Sequence, residues 1–242
     1  MLSERQRRVV VAVAALAMAA LTARLGVWQL DRGHQKMALQ QALTERGSLP
    51  PLDAAALPRD AEAAALMHHR TVRLHGRWLA ERTVYLDNRQ MDGRPGFYVV
   101  TPLELRPGDA VLVQRGWLPR DATDRSRLAP IVTPTGEVDI LGRIAPPPAR
   151  LYDFGGAASG PIRQNLALDA YAQEIGTGLR PLSILQLADT SPAADGLQRD
   201  WPQPAVGVER HWGYAFQWFG LCALIVGLYV WFQLVRPRRH RR

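Results

Sequence analysis

From Gly213 to Val235 the sequence carries no charged residue, and immediately beyond it the chain ends in RPRRHRR. These 23 positions exceed the roughly 20 apolar residues that a bilayer-crossing helix needs. The aromatic residues gather towards the ends of the run, Trp212, Tyr214, Phe216, Trp218 and Phe219 at one and Tyr229, Trp231 and Phe232 at the other. Trp and Tyr favour the headgroup level of a membrane, and clustered arginines favour the cytoplasmic side. Residues 211–235 are therefore read as a transmembrane helix running inwards, with His211 at its outer mouth.

A second apolar stretch lies behind a basic start. Residues 9–23, VVVAVAALAMAALTA, resemble the core of a cleavable signal peptide. The apolar pattern resumes after Arg24 as LGVWQL, however, and 9–30 together are long enough to span. Arg24 lies within two turns of Asp31, near enough to the outer surface to snorkel. With basic tails at 1–8 and 236–242, both termini are expected in the cytoplasm and residues 31–210 outside.

Net charge supports this reading rather than a nucleic-acid one. The chain is +8 overall, yet residues 31–210 hold 21 basic and 21 acidic residues. The excess sits on the short tails and is a topology signal, so nucleic acid is not an expected partner. Cys222 is the sole cysteine and lies inside the second span. A disulfide framework, a CxxC pair or a thiolate metal cluster is thereby excluded within one chain.

The outer segment changes period along its length. Good helix formers from Gln29 to Arg46 continue the first helix, and 47–66 reads as a linker with a short helix. From Arg70 the pattern alternates at two: TVRLHGRWL, TVYLDNR, FYVVTPLEL, AVLVQRGWL and EVDILGRI, separated by QMDGRPG, RPGD and polar loops. A glycine-rich loop at 151–162, a strand entering a short helix in RQNLALDAYAQEIG, the strand LRPLSILQLAD and a Pro/Gly-rich return at 190–208 complete it. The expected fold is an α+β membrane protein, with two helices flanking an antiparallel sheet or small barrel.

The two spans have small faces that would let them pair: Ala12, Ala15, Ala19, Ala23 and Gly26 on the first, Gly213, Gly220 and Gly227 with Ala223 on the second. In that hairpin Arg24 and Trp28 would stand beside His211 and Tyr214.

No hydrolase motif, HExxH or phosphate loop is present, and no nucleophile has a base at a suitable spacing, so an enzyme is not expected. His68, His69, His75 and His34 read as solvated or interfacial residues. Asp87, Asn88 and Arg89 read as a turn. Arg115 and Trp117 alternate onto one face and suit a cation–π contact or buried ion pair. His211 differs by position. It shares a helix face with Tyr214 or Ala215, Trp218 and Cys222. A neutral imidazole above an aromatic wall is what an axial haem ligand requires, and Arg24 or Arg210 could pair with the propionates. A plain interfacial histidine in an aromatic belt fits the same residues.

LGVWQLDR (25–32) with Lys36, RTVRLHGRW (70–78), VYLDNR (84–89), GFYVVTPLEL (96–105), VLVQRGWLPRD (111–121), GEVDILGRI (136–144), RQNLAL (163–168) and ERHWGYAFQWF (209–219) stand in that order. As a set they resemble the Surfeit locus protein 1 family, cytochrome oxidase assembly factors of bacteria and mitochondria. Glu209 stands where the family pattern usually has an asparagine. The resemblance implies a membrane-anchored factor aiding maturation of subunit I of haem–copper oxidase, with haem a synthase and the lipid bilayer as further partners. It implies haem a as cofactor with His211 as iron ligand, through the match HxxYAxQW. An association of two copies around one haem stays open, as does a cofactor-free scaffold that stabilises an assembly intermediate. The short segment ahead of the first span suits a bacterial inner membrane.

Overall fold

A computed structural model describes residues 3–121, 123–124, 127–152, 160–188, 195–202 and 207–236. The glycine-rich stretch 153–159, much of the 190–208 return and the arginines after Arg236 lie outside the described residues. The chain divides into two compact units, Met1–Gln41 with Gln203–Arg242, and Ala42–Pro202.

The first unit is a helix pair. α1 runs without a break from Glu4 to Gly47, and α4 from Val208 to Val230, continued by a wider π-helical turn over Trp231–Val235. Both helices are long and apolar enough to cross a membrane. The seam uses the small residues of α1: Thr22, Gly26 and Gly33 are buried. Thr22 satisfies its hydroxyl on its own helix, donating to the carbonyls of Met18 and Ala19 at 2.9 and 3.0 Å. A Cβ at Gly26 would lie 2.8 Å from the Phe219 ring, so only glycine admits that ring. Cys222 Sγ donates to the Ala19 carbonyl at 3.4 Å.

On α4 the expectation is corrected. Gly213, Gly220 and Gly227 have no neighbour within 4 Å of where a Cβ would sit. The face laid on α1 instead carries His211, Ala215, Trp218 and Cys222, with Ala215 fully buried. At 3.6 residues per turn the two stripes lie on opposite sides of the helix, so only one can meet α1. Interdigitation and the Cys222 bond favour the larger residues against the glycines and alanines of α1.

The second unit is built on one eight-stranded sheet. Its strands are β1 (Leu52–Asp53), β2 (Thr71–Trp78), β3 (Val84–Met91), β4 (Arg94–Arg106), β5 (Asp109–Pro119), β6 (Glu137–Ala145), β7 (Ile162–Arg163) and β8 (Gly178–Gln186), with α2 (Ala61–Leu66) and α3 (Leu168–Ile175) between them. The order is β1-β2-β6-β8-β5-β4-β3-β7, and a further β2–β4 pairing closes β2, β6, β8, β5 and β4 into a small barrel. Val72, Leu74 and Trp78 of β2 fill it with Leu103, Val111, Val113, Ile140, Ile144, Leu182 and Ile184, drawn from all five strands. The outer side of β3, β4 and β5 is covered by α3 and the segment before it, where Tyr171 of α3 and the preceding Leu166 pack on Val84, Leu86, Val100 and Leu112.

The sheet is mixed, which corrects the antiparallel expectation: β1–β2, β3–β7 and β5–β8 run parallel. The long connection carrying β6, β7 and α3 supplies the crossover that a parallel β5–β8 pair needs. Turn chemistry follows sequence closely. Asp92 and Gly93, at φ of 50° and 74°, make the two-residue β3–β4 hairpin, and Gly108 (φ 75°) follows Pro107 at the β4–β5 turn.

Asp87, Asn88 and Arg89 form no chain-reversing turn. They sit in a bulge of β3, where the register shifts between Leu86 and Arg89 and Asn88 takes a φ of 60°. The bulge accompanies a buried Arg89, which donates to the carbonyls of Ala149 and Gln164. A second bulge in β5 leaves Arg115 as the extra residue. Its guanidinium, 2% exposed, lies 4.9 Å from the Trp78 ring centre and 3.6 Å from Asp195. The cation–π partner is thus Trp78, while Trp117 receives Arg94 and donates its indole N–H to the Arg89 carbonyl.

Candidate functional site

His211 occupies the first turn of α4, half-buried in the seam with α1. Its ring is held by Gln29, with Nδ1 2.7 Å from Gln29 Oε1. An amide oxygen can only accept, so Nδ1 is the donating nitrogen, and in the neutral ring that leaves the lone pair on Nε2. No bond to Nε2 is formed among the described residues. The approach is possible because α1 presents Gly33 one turn after Gln29. A Cβ there would sit 3.8 Å from His211 Cβ and 3.4 Å from Trp212 Nε1. Trp212 in turn meets His34 edge-on, with ring centres 5.7 Å apart.

An axial haem ligand is a neutral imidazole whose outer nitrogen is fixed by a second group and whose other nitrogen is free. His211 with Gln29 has that donor chemistry, so the residues present fit the group at the ligand position. The remaining named residues lie at several places on the two helices. Tyr214 is 51% exposed and points out of the seam, and Ala215 takes the inward position. Trp218 and Cys222 are half-buried, and Cys222 Sγ meets the Ala19 carbonyl of α1. Arg24 is exposed on α1, one turn before Trp28, which carries Arg32 on its ring at 5.9 Å. The structure therefore brings His211 together with Gln29, Gly33 and Trp212. Arg24 and Tyr214 remain on exposed surfaces of their helices.

Gln29 was not among the expected site residues. The signal available was weak but real: a polar amide in an otherwise apolar run (GVWQL) asks for a partner. His211 is the polar residue that stands opposite it when the two spans pair.

The chain matches the family model described as "SURF1 family" over residues 16–223, which takes in the barrel and the larger part of each helix. It is 25% identical to a SURF1-like protein of Rickettsia bellii over 209 residues, covering 85% of this chain and 83% of that protein. It is 27% identical to a SURF1-like protein of Drosophila melanogaster over 246 residues, 92% of this chain and 77% of that one. Surfeit locus protein 1 of Takifugu rubripes is 26% identical over 238 residues, 90% and 93% of the two chains. With the match running through the helix pair, the barrel and the His211 turn, the chain belongs to the SURF1 family.

Proposed function

We propose that the chain is a membrane-anchored assembly factor for haem–copper oxidase that presents haem a through His211 to oxidase subunit I. The observation that carries the reading is the Gln29–His211 bond, which takes up Nδ1 and leaves Nε2 unbonded among the described residues at the start of an apolar helix. Family membership supports the oxidase part of it. The two apolar helices are compatible with spans of a bacterial inner membrane, and basic tails at both chain ends favour cytoplasmic termini with a periplasmic barrel in this reading. Haem a synthase is the donor this role requires. When bound, the haem would supply an iron centre, held by His211. The chain's own part is to hold the Nδ1 proton, fix the ring plane and keep the pigment beside the bilayer surface. No group-transfer chemistry is assigned to the chain.

The test is the visible spectrum of the detergent-purified protein, co-expressed with haem a synthesis enzymes, beside His211→Ala. Loss of the Soret and alpha bands in the variant, with insertion unchanged, is the expected outcome. Pigment retained at wild-type level would remove His211 from the reading, and a colourless wild type would remove haem.

One observation favours a second reading, a cofactor-free scaffold. The glycine stripe of α4 faces open space on the side away from α1, where a helix of an assembly intermediate could approach closely. In that case Gly220→Leu abolishes oxidase assembly and His211→Ala does not.

A further inference from the structure

The outer face of the barrel is electrostatically uneven. Along β2 and β6 most cations meet acids. His75 lies 3.1 Å from Asp139 and 3.0 Å from Glu137, and Arg77 donates to Glu104 at 2.8 Å. Arg73 stands in register with Asp53 of β1. At the start of β2 this pairing stops. Arg46 donates from Nη1 to the carbonyls of Leu66 and His68, at 3.2 and 3.0 Å, and so ties its charge to the chain leaving α2. His69 has a left-handed backbone (φ 75°), uncommon for a residue other than glycine, and donates its N–H to the Ile144 carbonyl at 2.8 Å. That bond extends the β2–β6 ladder by two residues. It brings the His68–His69 pair, with rings 6.2 Å apart, beside Arg143, which is in register with Thr71.

Arg143 is half-buried on the outer face, since its neighbours Gly142 and Ile144 turn inwards. It makes no hydrogen bond, ion pair or ring contact among the described residues. A guanidinium carries five donors and is costly to desolvate without a partner. The cluster thus gathers two guanidinium groups and two imidazoles, and the charges that act on the imidazoles are cationic. Burial pushes the His68 imidazole below its usual value, and Arg46 adds to it. For His69 burial is again first, followed by His68, Arg143 and Arg46; no carboxylate acts on either ring. Such an arrangement is unfavourable empty and is relieved by a bound anion.

We propose that Arg46, His68, His69 and Arg143 form a binding site for a phosphate-type oxyanion, either free phosphate or the phosphodiester of a lipid headgroup. The guanidinium of Arg143 supplies planar paired donors, and each neutral imidazole supplies one N–H. The site is separate from His211 and does not rest on the haem reading.

The test uses the full chain in uncharged detergent with nitrogen-15-labelled histidine at pH 7. Inorganic phosphate is titrated against chloride at matched ionic strength, and the His68 and His69 signals are assigned through His68→Asn and His69→Asn. The expected result is a saturable shift of both signals with phosphate and none with chloride. Arg143→Gln should weaken it about tenfold or more, the loss of one charge-assisted contact, and Arg143→Lys should restore part of it. Phosphatidylglycerol nanodiscs compared with phosphatidylcholine ones distinguish the sources: shifts in the former alone, without a response to free phosphate, assign the lipid headgroup. Equal responses to chloride and phosphate together with identical spectra in the two nanodiscs overturn the proposal, as does an Arg143→Gln protein that binds like wild type. The phosphate–chloride comparison needs no variant and stands even where Arg143→Gln fails to fold.

Discussion

Under the proposed function, replacing Gln29 by leucine should weaken haem binding at His211 without separating the helices. Leucine is close to glutamine in volume, so the seam with α4 stays filled, but Nδ1 loses the oxygen 2.7 Å away. A neutral hydrogen bond of this kind contributes about 1 kcal/mol to the fold. Its effect on ligation is larger, because the imidazole can then turn or move its proton to Nε2, the nitrogen that must bind iron. Loss of such an outer partner costs roughly 10–100-fold in metal affinity, or about 1.4–2.8 kcal/mol. Gln29→Glu keeps an acceptor and should bind at least as well as wild type. Two assays check the chain of cause. Haem titrated into the detergent-solubilised apoprotein, followed at the Soret band, gives the affinities. Nitrogen-15 shifts of the His211 ring before haem is added give the tautomer. Equal affinities for wild type and Gln29→Leu, or an apoprotein in which Nδ1 is the unprotonated nitrogen, would refute the reasoning.

The helix seam predicts an asymmetry between glycines. Gly26→Leu must displace the Phe219 ring 2.8 Å away and should cost about 1–3 kcal/mol in thermal unfolding in detergent. Gly220→Leu meets open space and should change stability by less than about 0.5 kcal/mol; equal losses at both sites would contradict the packing described. In the barrel, Arg180 is buried and holds Asp109 through two bonds of 2.7 Å. Asp109→Asn should therefore destabilise by about 3 kcal/mol in urea unfolding monitored by tryptophan fluorescence. The Arg180 guanidinium, ahead of Arg59 and Arg106, holds the Asp109 carboxyl below its usual value. The folded value is thus the lower one, so this stabilisation is present at neutral pH and is lost as pH falls below about 4. Asp109→Asn should flatten the stability profile in that acid range, and an unchanged acid slope would count against the pair.

Much of the architecture was legible because it is periodic. The alternation in Thr71–Trp78 and the Asp92–Gly93 and Pro107–Gly108 turns are local signals, and local geometry fixes the strands they delimit. Non-local facts were not legible. The parallel β5–β8 pairing depends on where the chain crosses after Pro119, and β1 and β7 are two-residue strands that no pattern announces. The bulges at Asp87–Asn88 and Arg115 look like turns or strand ends in sequence, because an extra residue has no signature until its partner strand is known. At the site, His211 stood out by its place at the rim of an apolar run. Its partner Gln29, 182 residues away, follows only from the pairing of the spans. The glycine stripe misled for a specific reason. Small residues signal close approach but do not say to what, and the opposite stripe of α4 had an equal claim on α1.

The ends of the barrel sheet bear on how this domain can hold another protein. On one side the sheet stops at β1 and on the other at β7, each two residues long, and the part of β3 beyond β7 is interrupted by the Asp87–Asn88 bulge. A guest polypeptide entering as an extra strand needs a straight row of free N–H and C=O groups, and no long row of this kind is offered among the described residues. A protein partner docking on the barrel would then meet side chains on its curved outer wall. A partner would keep its own backbone bonding while docked, and could be released without unzipping a shared sheet.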